Sequence, residues 1–118
     1  NNSKIKYLKR KFWKRIFSLI DVSNYYVYLS YFPDTFDINT FPNGVSFVSI
    51  DCDLYAPIKS SLELFFPILN SGGLIFIHDY SSGNWAGAKK ALDEFCLKNE
   101  LHFSLLPDKS GTAVLLKN

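Results

Sequence analysis

The 118-residue sequence contains no methionine, not even at position 1. A translated reading frame starts with Met, and a Met ahead of a bulky Asn would not be trimmed. The expectation is therefore a segment of a longer product. Cysteine is nearly missing too, with only Cys52 and Cys96. Two thiols cannot build a disulfide scaffold, and theirs is no metal-type spacing. They read as reduced side chains of a cytoplasmic protein. No apolar run approaches the ~20 residues that a membrane-spanning helix needs. The run at 16–20 is also too short for a signal peptide and has no small-residue cleavage site after it. Acids are absent from residues 1–20, which hold seven of the thirteen Lys/Arg: Lys4, Lys6, Lys9, Arg10, Lys11, Lys14 and Arg15. The other six Lys/Arg stand among all eleven Asp/Glu, so the net +2 is a +7 head on a −5 body. No GxSxG, Walker or HExxH motif occurs, and there is no internal repeat.

Apolar residues make up 47% and aromatics 17%, enough to bury a core and to exclude disorder as the main state. The length suits one domain, 1–118. Residues 4–20 place Ile5, Leu8, Phe12, Ile16, Leu19 and Ile20 on one stripe of a helix, with the basic residues opposite. That basic face reads as a solvated surface rather than as a membrane or nucleic-acid contact, because the stripe is needed to cover a sheet. Residues 25–29 (YYVYL) form an expected strand, broken at Pro33. Pro42-Asn43-Gly44 is a turn. Val45–Ile50 (VSFVSI) is an expected strand, read as buried on both faces. Pro57 suits the first turn of a helix that shows Leu62, Phe65, Phe66 and Leu69 on one face and stops at Asn70-Ser71-Gly72-Gly73. A second buried strand follows at 74–77 (LIFI), then a helix marked by Ala88, Leu92, Phe95 and Cys96. Two strands, 102–106 and 112–116, close the chain.

Alternating helices and buried strands imply an α/β fold with a parallel sheet. In such sheets chemistry sits beyond the carboxyl ends of the strands. Two strands here run into acids: Asp51 and Asp53 after VSFVSI, and Asp79, preceded by His78, after LIFI. If these strands are neighbours, the acids meet across a crevice. Carboxylates with open positions suit Mg²⁺, and a histidine shifts the preference toward Mn²⁺, Fe²⁺ or Zn²⁺. Asp53 is better read as the cap of the following helix. Asp51 and Asp79 are better read as functional, since acids directly after buried strands are costly unless paired or used. His78 suits proton removal by its ordinary pKa of ~6.5, or merely bonds to a neighbour. His102 is read as structural, and the tyrosines at 25–31 as packing. Ser71-Gly72-Gly73 precedes a strand and so is no phosphate loop.

Several phrases together carry a resemblance: YFPDTF (31–36), SIDCDLYAP (49–57), FFPILNSGGLIFIHDY (65–80) and GAKKALDEF (87–95). In order and spacing they resemble the macrocin O-methyltransferase-like family, class I S-adenosylmethionine-dependent methyltransferases. That family's pattern reads roughly G-x-F-x-D-T, L-D-x-D-L-Y, Y-P-x-L-x-x-G-G, D-D-Y and A-V-D-x-F. The resemblance implies a Rossmann-like sheet of which this chain supplies the third to seventh strands, the last antiparallel, with helices on both faces. The first two strands, which carry the cofactor's glycine loop and ribose acid, have no counterpart here. It also implies S-adenosylmethionine as cofactor and a divalent metal that orients a substrate hydroxyl, with Mg²⁺ the expected ion. Asp51 matches the first acid of D-x-D and Asp79 the second of D-D; His78 replaces the first member of that pair, and Ser30 stands where the family has Gly. The implied site is catalytic Asp51 and His78, with Asp51, His78 and Asp79 on the metal. The implied partner is a small hydroxylated acceptor, a sugar or polyketide, with no nucleic acid and no membrane span; a homo-oligomer stays open. Two other readings compete: a non-enzymatic remnant serving as an interaction module, and a nucleotide- or sugar-binding Rossmann-like domain.

Overall fold

A computed structural model of the chain describes residues 32–118. The chain divides into two compact units, Asn1–Thr35 and Phe36–Asn118. Of the first, only a turn at 32–35 is described. The expected helix at 4–20, the expected strand at 25–29 and Ser30 lie outside the described residues.

The second unit begins with a 3₁₀ turn, Ile38–Thr40, capped by Asp37, whose side chain accepts from the Asn39 N–H. Strand β1 (Val45–Ile50) follows, then helix α1 (Tyr55–Phe65), strand β2 (Leu69–Ile77), helix α2 (Ala86–Lys98) and strands β3 (Phe103–Leu105) and β4 (Ala113–Leu116). The sheet order is β1-β2-β4-β3. β1 and β2 are parallel, as a helical crossover requires. β4 runs antiparallel to both of its neighbours. The result is a mixed four-stranded sheet with two helices, a partial α/β fold.

Pairing fixes the faces. Ile50 lies opposite Ile77, Ile77 opposite Ala113, and Ile75 opposite Leu115. All five are buried, together with Ile58 and Leu62 of α1 and Ala88, Ala91, Leu92 and Cys96 of α2. Both helices therefore cover the same face of the sheet. On the other face, Phe47 is 55% exposed, Leu116 is exposed, and the Phe47 and Phe76 rings meet edge-on at 5.0 Å. This corrects the expectation that β1 is buried on both faces. Its apolar run follows the period-two alternation of a strand, and among the described residues helices shield only one side.

Two further boundaries differ from expectation. α1 ends at Phe65, with Phe66 as its C-cap, whose N–H still donates to the Leu62 carbonyl, and Pro67 has no N–H to continue the ladder. Leu69, expected on the helix, is instead the first residue of β2 and is buried there. Asn70-Ser71-Gly72-Gly73, expected to stop the helix, forms an irregular first half of β2: Val45 pairs with Leu69, but Phe47 already pairs with Leu74. Gly72 adopts φ 79 there, and its N–H donates to the Lys117 carbonyl at 2.7 Å. The Lys117 ammonium in turn bonds the Phe66 and Pro67 carbonyls at 2.9 and 3.0 Å, satisfying groups left open by the helix end.

The β3–β4 loop is built around Asp108, whose carboxylate accepts from the Thr112 N–H at 2.8 Å and the Thr112 hydroxyl at 2.5 Å. It presses on the segment after β2: Ser81 N–H donates to Ser110, and a Cβ on Gly111 would lie 2.3 Å from the Ser81 Cβ. Gly111 also has φ 60. A side chain here meets two penalties, roughly 1 kcal/mol for the left-handed backbone and roughly 1–3 kcal/mol for the overlap. Gly83 has φ 75 but open space around it, so only the first applies. Gly111→Ala should therefore lower the unfolding free energy in urea by at least ~2 kcal/mol, and Gly83→Ala by only ~1 kcal/mol. Equal losses would show that the loop does not bear on Ser81.

Candidate functional site

The parallel pair places the site. After Ile50↔Ile77 the pairing continues one step, with the His78 N–H donating to the Ile50 carbonyl at 3.0 Å. Asp51 and His78 thus leave the sheet side by side. Asp79 has φ 58, in the small left-handed region that Asp tolerates better than most residues. The turn is closed by Ser82, whose N–H and hydroxyl both donate to the Asp79 carbonyl. Its outcome is that the Asp79 carboxylate comes back to His78. His78 Nδ1 lies 2.8 Å from Asp79 Oδ2 and 3.3 Å from Asp51 Oδ1. Asp51 is 65% exposed and His78 45%, whereas Asp79 is 17% exposed. The site therefore has a solvent side at Asp51 and a covered side at Asp79.

The other predicted residues separate from this group. Asp53, at φ 60, does not cap α1; Leu54 takes the N-cap position and no side chain bonds the helix start there. The reason is the left-handed turn, which spends Asp53 on reversing the chain before the helix begins. Asp79 caps no helix either, since Trp85 stands at the N-cap of α2. His102 is exposed and directly precedes the edge strand β3. Cys52, between the two acids, is partly buried; that burial pushes its thiol above the ordinary range, so it is no thiolate nucleophile at neutral pH.

A carboxylate can only accept, so in the metal-free site the proton between His78 and Asp79 sits on Nδ1. That hydrogen bond raises the His78 pKa, burial opposes it, and the charges of Asp51, Asp79 and Asp108 add to the rise. Asp108 is a contribution the sequence reading missed. It is held ionised below the usual carboxylate range by the Thr112 hydroxyl and N–H. The signal was present as Pro107-Asp108 followed by Gly111-Thr112, an Asp-led turn that returns β3 onto β4 beside the site.

Three donor atoms, one from each of Asp51, His78 and Asp79, lie within 4.8 Å of one another. Neighbouring ligands on an octahedron with ~2.1 Å bonds are ~3.0 Å apart. The observed 2.8 and 3.3 Å bracket that edge. One imidazole and two carboxylates suit Mn²⁺ or Fe²⁺ as well as Mg²⁺. The residues present fit a divalent cation, which would displace the Nδ1 proton.

The fold has solved counterparts. The O-methyltransferase NovP matches 64% of this chain with 31% of its own, at 21% identity and a TM-score of 0.57. CalS11, a calicheamicin methyltransferase, matches 67% with 31% of its own, at 25% identity and a TM-score of 0.57. Its apo form, described as a TDP-rhamnose 3′-O-methyltransferase of calicheamicin biosynthesis, matches 67% with 36%, at 23% identity and a TM-score of 0.55. The structural neighbours are thus O-methyltransferases, as the motif resemblance implied, and the matched region spans about a third of their length. No family model matches the sequence, and no curated protein matches it.

The raised His78 pKa has a thermodynamic sign. The protonated imidazole is bound more tightly in the folded chain, so its contribution is full below ~6.5 and fades as pH rises through the higher folded value. Asp79→Asn should move the His78 midpoint, followed by imidazole NMR, back toward ~6.5. It should also remove that part of the pH dependence of stability. An unmoved midpoint would mean that Asp79 does not hold the proton.

Proposed function

We propose that this chain is the C-terminal part of an S-adenosylmethionine-dependent, metal-assisted O-methyltransferase whose acceptor is a hydroxylated small molecule, a sugar or related natural product. The observation that carries the reading is the gathering of Asp51, His78 and Asp79 past two adjacent parallel strand ends, in a fold shared with sugar O-methyltransferases. Asp51, His78 and Asp79 would hold the divalent ion, which when bound lowers the pKa of an acceptor hydroxyl. Asp51, on the solvent side, can accept a hydrogen bond from that hydroxyl and set its direction. Asp79, on the covered side, keeps His78 in place through the 2.8 Å contact with Nδ1. Among the described residues no glycine-rich loop joins a strand to a helix start. The methyl donor's pocket is therefore not assigned to them, and the chain alone is expected not to bind S-adenosylmethionine.

The 2.8 Å hydrogen bond from His78 Nδ1 to Asp79 also supports a metal-free alternative. With its proton on Nδ1, the neutral imidazole presents Nε2 as an acceptor, and an exposed Nε2 next to a held carboxylate is a general base for hydroxyl deprotonation. In that case His78 takes the proton itself and Asp79 stabilises the imidazolium.

Methyl transfer by the whole enzyme separates the two. Asp51→Ala should lower kcat by roughly a hundredfold or more while S-adenosylmethionine affinity stays unchanged, and a chelator should act on the native protein in the same direction. His78→Asp restores two adjacent carboxylates and should shift preference toward Mg²⁺ over Mn²⁺ and Zn²⁺. Full activity in chelator, combined with loss of activity in His78→Asp, would remove the metal and leave the histidine base. Full activity of Asp51→Ala in chelator would end the metal reading outright.

A further inference from the structure

The strongest set of interactions near the site does not involve the proposed ligands. Tyr80, directly after Asp79, is 8% exposed, the only tyrosine in the buried core among the described residues. Its hydroxyl donates to Asp93 Oδ1 at 2.6 Å and accepts from Lys89 Nζ at 3.1 Å. Lys89 also pairs with Asp93 Oδ2 at 2.7 Å and lies 4.9 Å from the centre of the Tyr80 ring. The ring also meets Phe103 of β3 edge-on at 5.0 Å. Lys89 and Asp93 are one turn apart on α2, so the helix itself presents the pair in fixed register. The hydroxyl is thus held at one point on α2 and the ring at one point on β3.

Packing alone does not account for this. A phenylalanine would fill the same core space, and burying a phenol without a partner is costly. Here burial raises the Tyr80 pKa and Asp93 raises it further, so the hydroxyl stays a donor. Burial works against ionised Asp93, but Lys89 and Tyr80 outweigh it and hold the carboxyl below its usual range. The cluster is satisfied and directional. What it fixes is the residue after a strained turn. Asp79 is a non-glycine residue at φ 58, a conformation that costs on the order of 1–2 kcal/mol and persists only where its surroundings impose it. The strand side of the turn is pinned by the His78–Ile50 hydrogen bond. The far side is pinned by Tyr80.

We propose that Tyr80, clamped by Asp93 and Lys89 of α2, is a positioning residue that holds the Asp79 carboxylate against His78. The inference rests on the site proposed above but not on the choice between a metal and a histidine base, since both need Asp79 against His78. Loss of the clamp lets the turn relax toward ordinary backbone angles and withdraws the carboxylate. The fold remains, because the ring still packs on Phe103.

Two measurements on the 118-residue chain test it. The first is the low-field NMR resonance of the His78 Nδ1 proton, which reports its hydrogen bond to Asp79 directly. The second is Mn²⁺ affinity. Tyr80→Phe should broaden or shift the Nδ1 resonance upfield and weaken Mn²⁺ by about tenfold, the lower end of the usual effect of removing support behind a ligand. Asp93→Ala, at a half-exposed position, should do the same if Tyr80→Phe folds poorly. Lys117→Ala removes a tie between β4 and the end of α1, remote from the turn, and should lower stability without moving the resonance. The proposal fails if Tyr80→Phe and Asp93→Ala leave the resonance where it is, or if Lys117→Ala shifts it as much. Native chain that shows the resonance but takes up no Mn²⁺ would overturn the metal reading. Loss of the resonance in Tyr80→Phe would still uphold the clamp.

Discussion

The hydrogen bond from His78 N–H to the Ile50 carbonyl is the step on which the chemistry depends. It belongs to the parallel ladder of β1 and β2, and joins Ile50, the last residue of β1, to His78, the first residue past β2. Because side chains alternate across a strand, the register Ile50↔Ile77 sends those two side chains into the core and delivers Asp51 and His78 together at the rim. A slip of one residue would bury an acid and expose an isoleucine. The hydrophobic burial of Ile50, Ile75 and Ile77 beneath α1 and α2 therefore selects the register, and the register places the polar groups. Site geometry is in this sense a by-product of core packing.

That packing is also economical in its turns. Asp53, Asp79 and Glu100 all adopt positive φ, each at the junction of a strand or helix with the next element. Asp79 belongs to the candidate site and Asp53 stands two residues from its Asp51. Single residues of this kind reverse the chain sharply, before α1 at Asp53, past β2 at Asp79 and between α2 and β3 at Glu100. Gly87 shows how tight the result is, because a Cβ there would lie 2.6 Å from the Tyr55 N atom. The first turns of α1 and α2 touch at that point, above the carboxyl ends of β1 and β2.

Much of this was legible from the residues. The strand VSFVSI, the helix marked by Ala88, Leu92 and Cys96, and the closing pair of strands follow from apolar periodicity alone. The meeting of Asp51 with His78 and Asp79 follows once the two strands are taken as neighbours. What periodicity missed has separable causes. The run Asn70 to Gly73 looks like a helix stop, but the stop is Pro67, and the glycines instead let β2 bend into pairing with the backbone of Lys117. Val45–Ile50 looks doubly buried because its composition is apolar, yet composition does not say how many layers cover a sheet. Asp53 has the residue type of a helix cap but not the backbone. Lys89 and Asp93 lie on α2 and Tyr80 in the segment after β2, and only the packing of α2 beside that segment brings Tyr80 to the other two.

The strand order has a consequence for how the sheet assembles. β4 is the latest strand in the chain and stands between β2 and β3. Until residues 113–116 are available, β3 has no partner among the described strands, and β2 has a bare edge. A nascent chain that stops short of β4 can form the β1–α1–β2 unit but cannot join the two halves of its sheet. The strand pairing most distant in sequence, β2 with β4, thus rests on one short segment, Ala113–Leu116. Its arrival converts an exposed β2 edge, open to pairing with other chains, into the interior of the sheet.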